Sequence, residues 1–203
     1  MKEELVYLGF VFFANGLKMD PEKIKEIMQY PSPKSVFEVR SFHGLASFYR
    51  KFIRNFSKIN ASIIDTIKKD RQPFKWIVQA ERNFQLLKRN ITEKSILIFP
   101  NFNKKFQVKC DAYGDAIGTV LIQEDRPVAY FSENLNETKK TYSSYDKEFY
   151  AVVQSLKKWR HYLMSKEFIL YSEQCITVHY AAAKACPEAC KMGRLLAKFL
   201  ILY

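Results

Sequence analysis

Three acidic residues of this chain occupy positions from which their side chains could share metal ions. Asp111 ends a predicted strand, Glu148 lies in the first turn of a predicted long helix, and Glu173 follows a predicted fourth strand. Carboxylates at the ends of adjacent strands and on a nearby helix could hold two Mg²⁺ or Mn²⁺ ions, because these cations prefer oxygen ligands. Such ions activate water and stabilise the leaving oxygen during phosphodiester hydrolysis.

Each of the three carboxylates also has an explanation that involves no metal. Asp111 could end its strand ahead of a turn at Gly114, and Glu148 could interact favourably with the macrodipole at the N-terminus of its helix. Glu173 could be a solvent-facing residue of a loop. From spacing alone, the metal site and these structural roles both stay open.

A second group of possible metal ligands lies near the end of the chain. Cys175, His179, Cys186 and Cys190 follow the spacing C-x3-H-x6-C-x3-C. This is not a usual spacing for a zinc finger or knuckle, so we do not assign a metal to these residues. We expect the four cysteines of the chain to be free thiols in a reducing setting.

The second half of the sequence has the patterns of a layered α/β fold. Strands are predicted at 105–111, 118–123, 127–132 and 168–171, with a tight turn at Glu124-Asp125. A long amphipathic helix is predicted at 145–164, and two further helices at about 175–184 and 190–202. Three strands, a helix, a parallel fourth strand and another helix are typical of an α/β layer architecture.

The first half is predicted to be mainly helical. A β-rich run from Leu5 to Phe13 precedes Asn15-Gly16, a dipeptide typical of type I′ hairpin turns. Four helices are then expected: one after Asp20-Pro21, one capped by Ser35, one from Phe56 and one near 79–92. Four basic residues line the segment around the second helix: Arg40, Arg50, Lys51 and Arg54.

The charge of the chain favours a polyanionic partner. The formal net charge is +12, and residues 1–94 carry 18 basic and 10 acidic side chains, against 15 and 11 in residues 95–203. Such a surplus favours nucleic acid through neutralisation of phosphates, although a solvated surface would explain it equally well. There is no run of 18 apolar residues and no signal peptide, so we expect an intracellular protein, in cytoplasm or nucleus, that is neither secreted nor bound to a membrane.

Several motifs, taken together, resemble one family. They are Phe106-Gln-Val-Lys-Cys-Asp-Ala-Tyr-Gly-Asp-Ala-Ile-Gly-Thr-Val-Leu121, Pro127-Val-Ala-Tyr-Phe-Ser132, Tyr142-Ser-Ser-Tyr-Asp-Lys-Glu148, Trp159-Arg-His-Tyr-Leu163, Tyr7-Leu-Gly-Phe-Val11, Asp20-Pro-Glu-Lys23 and Arg40-Ser-Phe-His-Gly-Leu-Ala-Ser-Phe-Tyr-Arg-Lys-Phe-Ile53. Their order and spacing resemble those of gypsy-type LTR retrotransposon Pol polyproteins over about residues 5–173. The resemblance implies a reverse transcriptase palm hairpin at 1–20, a helical thumb and connection at 21–94, and an RNase H-like mixed sheet with flanking helices, incomplete at its C-terminus, at 95–203.

The resemblance also implies roles for individual residues. Asp111 and Glu148 correspond to the first catalytic aspartate and the catalytic glutamate of the family, with Mg²⁺ or Mn²⁺ as cofactor. Glu173 stands where the family has its next catalytic aspartate, and Gln174 where it usually has histidine. The added methylene of Glu173 could displace a metal ligand by about an ångström, which can cost ~100-fold in rate.

The same resemblance implies what this chain lacks. A fourth metal-binding aspartate would lie beyond Tyr203, and the Tyr-x-Asp-Asp strand of the RNA-directed DNA polymerase would precede residue 1. We therefore expect that this chain alone does not polymerise and that its RNase H activity is impaired. The basic segment at Arg40, Arg50, Lys51 and Arg54 resembles the thumb, which in the family grips nucleic acid.

Three hypotheses follow for the function of this chain. The first is metal-dependent cleavage of RNA in RNA–DNA hybrids, with the remainder of a Pol polyprotein as a further partner. The second is a nucleic-acid-binding fragment without hydrolysis, which Glu173 and the missing fourth aspartate favour. The third is the product of a decayed reading frame without a present role.

Overall fold

The computed structural model describes residues 4–68, 73–93, 96–164, 167–172 and 175–180. Its strands are β1 (Glu4–Tyr7), β2 (Phe10–Phe13), β3 (Gly16–Met19), β4 (Ile96–Leu97), β5 (Phe106–Tyr113), β6 (Ala116–Gln123), β7 (Arg126–Asn134), β8 (Phe168–Ser172) and β9 (Cys175–Tyr180). Its helices are α1 (Pro21–Gln29), α2 (Val36–Phe48), α3 (Phe56–Asp65), α4 (Val78–Glu93), α5 (Glu137–Lys140), α6 (Ser144–Lys158) and α7 (Arg160–Leu163), with a 3₁₀ helix at Arg50–Phe52. Within the described residues, no helix is both long and apolar enough to cross a membrane.

The N-terminal strands form an antiparallel sheet in the order β1-β2-β3-β4. The predicted run from Leu5 to Phe13 is divided at Leu8 and Gly9, both of which have positive φ and turn β1 back onto β2. The type I′ turn predicted at Asn15-Gly16 is wrong. Phe13 pairs with Gly16, which makes Ala14 and Asn15 the central residues of the turn, and neither has positive φ.

Gly16 is required by close packing and not by its backbone angles. A Cβ at this position would collide with the carbonyl oxygen of Leu97 in β4. We therefore expect Gly16→Ala to lower the free energy of unfolding by about 1–3 kcal/mol, the usual cost of overpacking. Gly44, inside α2, has nothing within 4 Å of its Cβ position, so Gly44→Ala should raise the same free energy by about 0.5–1 kcal/mol. Urea denaturation of both variants measures these changes, and equal effects would contradict this explanation of Gly16.

Four helices and the first sheet enclose one hydrophobic core. The cap of α2 forms as predicted, because Ser35 Oγ accepts a hydrogen bond from the backbone N–H of Glu38 at 3.3 Å. The fully buried members of this core come from both the helices and the sheet: Met19, Ile27, Val39, Phe42, Ala46, Tyr49, Phe52, Ile53, Ile63, Phe84, Leu87, Ile91 and Leu97. At the C-terminal end of α1, Lys88 Nζ donates hydrogen bonds to the carbonyl oxygens of Met28 and Tyr30. A cation is favourable at this end of a helix.

The second sheet has the order β7-β6-β5-β8-β9, and its β5–β8 pair is parallel as predicted. The turn between β6 and β7 places Glu124 and Asp125 at positive φ, which the predicted tight turn requires. The predicted long helix ends earlier than expected, because Trp159 leaves the helical conformation between α6 and α7. A second core lies between this sheet and α6 and includes Val108, Leu121 and Val152.

The helix predicted at about 175–184 is wrong where the structure describes the chain. Residues 175–180 form β9, which pairs antiparallel with β8. Ile176, Thr177 and Val178 are β-branched residues and favour a strand, so the sequence contained this signal. The remainder of that predicted helix and the helix predicted at 190–202 lie outside the described residues.

The two cores meet where α3 packs on the face of the second sheet that is opposite α6. Ser57 Oγ donates to the carbonyl oxygen of Ser132 in β7 at 2.8 Å, and Ser132 Oγ accepts from the backbone N–H of Ser57 at 2.9 Å. Asn55, which precedes α3 and has a φ of 55°, contacts Gly118 in β6, where a Cβ would overlap its side chain. Gly118 therefore allows the helical region to approach β6 closely.

Candidate metal and nucleic-acid site

Asp111 lies near the C-terminal end of β5, on the face of the sheet that α3 covers. Side chains alternate between the two faces of a strand, and Cys110 is buried on the α6 face with Val108. Asp111 therefore points to the opposite face, together with Lys109. It pairs with Gly118 in β6 and lies beyond the final β5–β8 pair, Lys109 with Tyr171.

The Asp111 side chain opens into a cavity of about 410 Å³ between the sheet and the helical region, which we call the Asp111 cavity. Its lining residues come from β5, β6, β7 and the segment before α3: Arg54, Asn55, Lys109, Cys110, Asp111, Gly118, Thr119, Val120, Ile122, Asp125, Pro127 and Tyr130. Two cations, Arg54 and Lys109, thus border the same space as Asp111. Such a space can admit a phosphate group close to a carboxylate.

Glu148 approaches the same end of β5 from α6. Its side chain is only 6% exposed, and its Oε2 accepts a hydrogen bond from Ser172 Oγ at 2.8 Å. Ser172 is the final residue of β8, so this bond ties α6 to the strand that precedes Glu173. The N-terminus of α6 is capped by Ser143, whose Oγ accepts from the backbone N–H of Asp146, and this cap fixes the turn that carries Glu148.

The Cys110 thiol is affected electrostatically by both carboxylates. Burial is the main cause that raises its pKa to about 12; a hydrogen bond to Ser155 Oγ opposes this rise, and the negative charges of Asp111 and Glu148 add to it. Both carboxylates therefore lie within electrostatic range of one buried thiol. The structure brings Asp111 and Glu148 to the same end of β5 from the two faces of the sheet.

This thiol should make the stability of the protein depend on alkaline pH. Because its pKa is raised from 9.0 to about 12, its contribution to stability is fully present below pH 9 and is lost as the pH rises towards 12, since the unfolded chain releases the proton first. We expect the free energy of unfolding to fall with pH more steeply than in Cys110→Ala between pH 9 and 11, by up to about 1.4 kcal/mol per pH unit. Urea denaturation under reducing conditions checks this, and parallel pH profiles would contradict it.

The remaining candidate ligands are only partly covered by the structure. Glu173 lies outside the described residues, as do Cys186 and Cys190, and the side chains of Cys175 and His179 on β9 are not described. Among the described residues there is no group of three or more His, Cys, Asp or Glu side chains that could hold a metal. Asp111 and Glu148 nevertheless fit Mg²⁺ or Mn²⁺ in donor type, because both offer carboxylate oxygens and Glu148 is held in place by Ser172.

The structure separates the four predicted nucleic-acid-binding residues. Arg54 borders the Asp111 cavity, whereas Arg50 and Lys51 line a different cleft and Arg40 is exposed on α2. Lys109 was missed in the sequence, although it lies two residues before Asp111 and strand alternation puts both on one face. Ser172 was also missed, and its position directly before Glu173 was the available signal.

The aromatic side chains of the segment that carries these basic residues differ in exposure. Phe42, Tyr49 and Phe52 are buried, and Tyr49 donates from its hydroxyl to the carbonyl oxygen of Gly9 at 2.9 Å. Phe48 is 52% exposed and stacks on Phe10 with ring centroids 5.1 Å apart. Three of these four rings therefore belong to the core, whereas Phe48 leaves about half of its surface exposed.

Comparison with known proteins shows which proteins this chain resembles. Residues 76–170 match the model of the RNase H-like domain found in reverse transcriptase. The chain is 37% identical over 177 residues to a retrovirus-related Pol polyprotein from transposon 297 and 38% identical over 185 residues to that from transposon gypsy, both of Drosophila melanogaster. Each match covers 85% of this chain, but only 16% and 18% of the two relatives.

A solved structure shows the same fold. The foamy viral protease-reverse transcriptase, in complex with an RNA/DNA hybrid, matches 84% of this chain and 24% of its own with a TM-score of 0.74 and 22% identity. The predicted mixed helix and sheet architecture is thus confirmed. Residues 76–170 thus match an RNase H-like domain of the reverse transcriptase type, and the chain as a whole is similar to one segment of gypsy-type retrotransposon Pol polyproteins.

Proposed function

We propose that this chain binds RNA–DNA hybrids and hydrolyses their RNA strand with the help of a divalent metal ion. The observation that carries the proposal is that Asp111 borders a cavity together with the cations Arg54 and Lys109, while Glu148, held by Ser172, reaches the same end of β5 from the other face of the sheet. A carboxylate pair next to cations suits a phosphodiester, because the cations neutralise phosphates while the carboxylates can bind metal. The foamy viral relative, which was solved with an RNA/DNA hybrid, supports this choice of ligand.

The proposal gives individual residues of this chain distinct roles in binding the metal and the substrate. Asp111, Glu148 and Glu173 would hold Mg²⁺ or Mn²⁺, which when bound supplies an activated water and stabilises the leaving oxygen. Arg54 and Lys109 would bind the phosphates on either side of the scissile bond and orient them towards Asp111. Ser172 would keep the Glu148 carboxylate in one orientation through its hydrogen bond, as ligand-supporting residues usually do.

We also propose that the activity is reduced by Glu173. This residue stands where the family has aspartate and is longer by one methylene. A carboxylate displaced by about an ångström can lower a rate ~100-fold. The proposed enzyme is therefore a slow one.

The test is cleavage of a hybrid whose RNA and DNA strands carry different labels. The chain is incubated with this hybrid in Mg²⁺, in Mn²⁺ and in excess chelator. The proposal requires shortened RNA, intact DNA, and no products with chelator. Products that persist in chelator, or a DNA strand cut as readily as the RNA, would contradict it.

A second candidate is binding of nucleic acid without hydrolysis. Arg40, Arg50 and Arg54 are exposed, and none forms an ion pair with another described residue, so all three are available to phosphates. Retention of the hybrid that weakens with added salt, without shortened RNA, would favour this candidate. If the chain neither retains nor cleaves the hybrid, the remaining explanation is a decayed segment without a present role.

The proposed setting follows from the family. The substrate would be a hybrid made inside the cell, in cytoplasm or nucleus, and the remainder of a Pol polyprotein would be the natural partner. The relatives from transposons 297 and gypsy are Pol polyproteins of which this chain spans less than a fifth. Polymerisation of DNA on RNA would belong to such a larger protein.

A further inference from the structure

A group of three polar side chains, which we call the Tyr150 network, joins α5 and α6 to the edge strand β7. The Tyr150 hydroxyl in α6 donates to Glu133 Oε1 in β7 at 2.7 Å, and it accepts from Lys139 Nζ in α5 at 2.8 Å. The ammonium of Lys139 also lies 4.2 Å from the centroid of the Tyr150 ring. All three side chains are partly buried. One hydroxyl group therefore ties three elements of the fold together.

The Tyr150 network lies at the end of the sheet where Asp111 is found. Glu133 pairs with Ile117 in β6, and Ile117 pairs with Ala112 in β5, the residue directly after Asp111. Residues that pair directly across antiparallel strands lie on the same face of the sheet. Ile117 is buried in the core between the sheet and α6, so Glu133 also points towards α6. Glu133 thus meets α6 one row of residues beyond Asp111.

Glu148 is held on the other side of the same helix. Ser172 Oγ of β8 donates to Glu148 Oε2 at 2.8 Å. Residues 148 and 150 point in nearly opposite directions around α6, roughly 200° apart, because a helix has 3.6 residues per turn. In the sheet order β7-β6-β5-β8-β9, the strand β5 lies between β7 and β8. The two contacts therefore hold one turn of α6 from both sides of the strand that carries Asp111.

A purely structural role explains only part of the Tyr150 network. The short helix α5 has other contacts with the turn between β5 and β6. Lys140 Nζ lies 2.7 Å from a carboxylate oxygen of Glu137 and 3.7 Å from one of Asp115, and the backbone N–H of Leu135 donates to the carbonyl oxygen of Asp115 at 2.7 Å. The segment around α5 is therefore attached to the sheet without Tyr150. What the Tyr150 hydroxyl adds is a contact with the turn of α6 that carries Glu148.

We propose that Tyr150 is a positioning residue for Glu148, because its hydroxyl fixes the turn of α6 that directs the Glu148 carboxylate to the end of β5. This inference rests on the proposed function, in which Glu148 holds the metal. The contacts at β7 and β8 together oppose rotation of α6 about its axis, and the loss of one would allow Glu148 to shift. A misplacement of about an ångström can cost ~100-fold in rate. Residues that orient metal ligands typically change metal affinity or activity ~10–100-fold when they are replaced.

The test compares the unmodified chain with Tyr150→Phe, which removes only the hydroxyl group, in two measurements. Hydrogen exchange without metal follows the backbone amides of residues 148–150. Their exchange should be about tenfold faster in the variant, because one hydrogen bond changes a local opening equilibrium by about this factor, while the amides of residues 155–157 should keep their rates. Binding of Mn²⁺, measured by electron paramagnetic resonance, should weaken about tenfold, the lower end of the effect of orienting residues.

The matched control is Tyr145→Phe, which makes the same chemical change in the first turn of α6. Tyr145 is 38% exposed and makes neither contact of Tyr150, so this variant should resemble the unmodified chain in both measurements. Glu133→Gln keeps an oxygen that accepts from the Tyr150 hydroxyl and should also stay close to the unmodified chain. Glu133→Ala removes that oxygen and should resemble Tyr150→Phe.

The possible outcomes separate this inference from the proposed function. Unchanged exchange in Tyr150→Phe, or faster exchange with unchanged affinity for Mn²⁺, would overturn the positioning role and leave the proposed metal site intact. Equal effects of Tyr145→Phe would overturn the role as well. If the unmodified chain binds no Mn²⁺, the proposed function fails, and the role of Tyr150 in directing a metal ligand fails with it.

Discussion

Asp111→Asn should lower the rate of metal-dependent RNA cleavage at least ~100-fold, since loss even of a residue that only supports a metal ligand typically costs 10–100-fold. The amide keeps the shape of the side chain but removes the negative charge that would attract the metal. Because Asp111 opens into the cavity bordered by Arg54 and Lys109, binding of the hybrid in chelator should be retained or slightly strengthened. Single-turnover cleavage and anisotropy with the same hybrid measure the two quantities separately.

The control for this variant is Asp115→Asn, which makes the same chemical change four residues further along. Asp115 is 71% exposed, does not line the Asp111 cavity, and contacts Lys140 at 3.7 Å. Its replacement should leave the cleavage rate within about twofold, because exposed ion pairs contribute little to stability. If both variants lost activity equally, net charge and not a metal site would explain the result.

Glu173→Asp should raise the cleavage rate, by up to ~100-fold if the extra methylene displaces a ligand by about an ångström. The change introduces the aspartate that the family resemblance implies at this position. The gain should appear in the rate at saturating hybrid, since the affinity for the hybrid depends mainly on the basic residues. Single-turnover rates at saturating protein concentration measure it.

The matched control for this gain is Glu167→Asp, which shortens another glutamate near β8. Glu167 forms an exposed ion pair with Lys105 at 3.0 Å, so its shortening should not change the rate of cleavage. A rate that is unchanged or lower in Glu173→Asp would contradict the proposal that this residue limits the activity. An equal gain in both variants would point to a general effect on folding.

The strands of the second sheet could be predicted from the sequence because each has a strong local signal. Residues 105–111 alternate in polarity, and Glu124-Asp125 adopts the positive φ values that its tight turn requires. The strand β9 was predicted as a helix because short apolar runs fit both periods. Hydrogen-bonded pairing with β8 favours the strand conformation of β9. This contact forms only when the fold is assembled, so the local sequence does not contain it.

The turn at Ala14-Asn15 shows a different limit of sequence reasoning. A glycine after asparagine usually signals positive φ, but Gly16 is there because β4 approaches it from 80 residues further along the chain. No local pattern contains that contact. The same holds for Gly118, whose missing side chain makes room for Asn55.

The residues of the candidate site were proposed from the sequence one by one, but their arrangement in space was not. Asp111 and Glu148 were proposed from their motifs, and the structure places Asp111 beside Gly118 of β6 and Glu148 beside Ser172 of β8. Arg54 borders the Asp111 cavity because of the way α3 packs against the sheet, whereas Arg50 and Lys51 line a different cleft together with residues of α6 and α7. These are long-range contacts between two cores, which spacing along the chain does not encode.

Asp111 and Glu148 reach the end of β5 from opposite faces of the sheet, and we propose that they act as one metal site. The most direct test is binding of Mn²⁺ by electron paramagnetic resonance, in the unmodified chain, in Asp111→Asn and in Glu148→Gln. We predict that the unmodified chain binds Mn²⁺ and that each variant alone loses it, by at least tenfold in affinity. Mn²⁺ binding that is unchanged in Glu148→Gln, or absent from the unmodified chain, would contradict the claim.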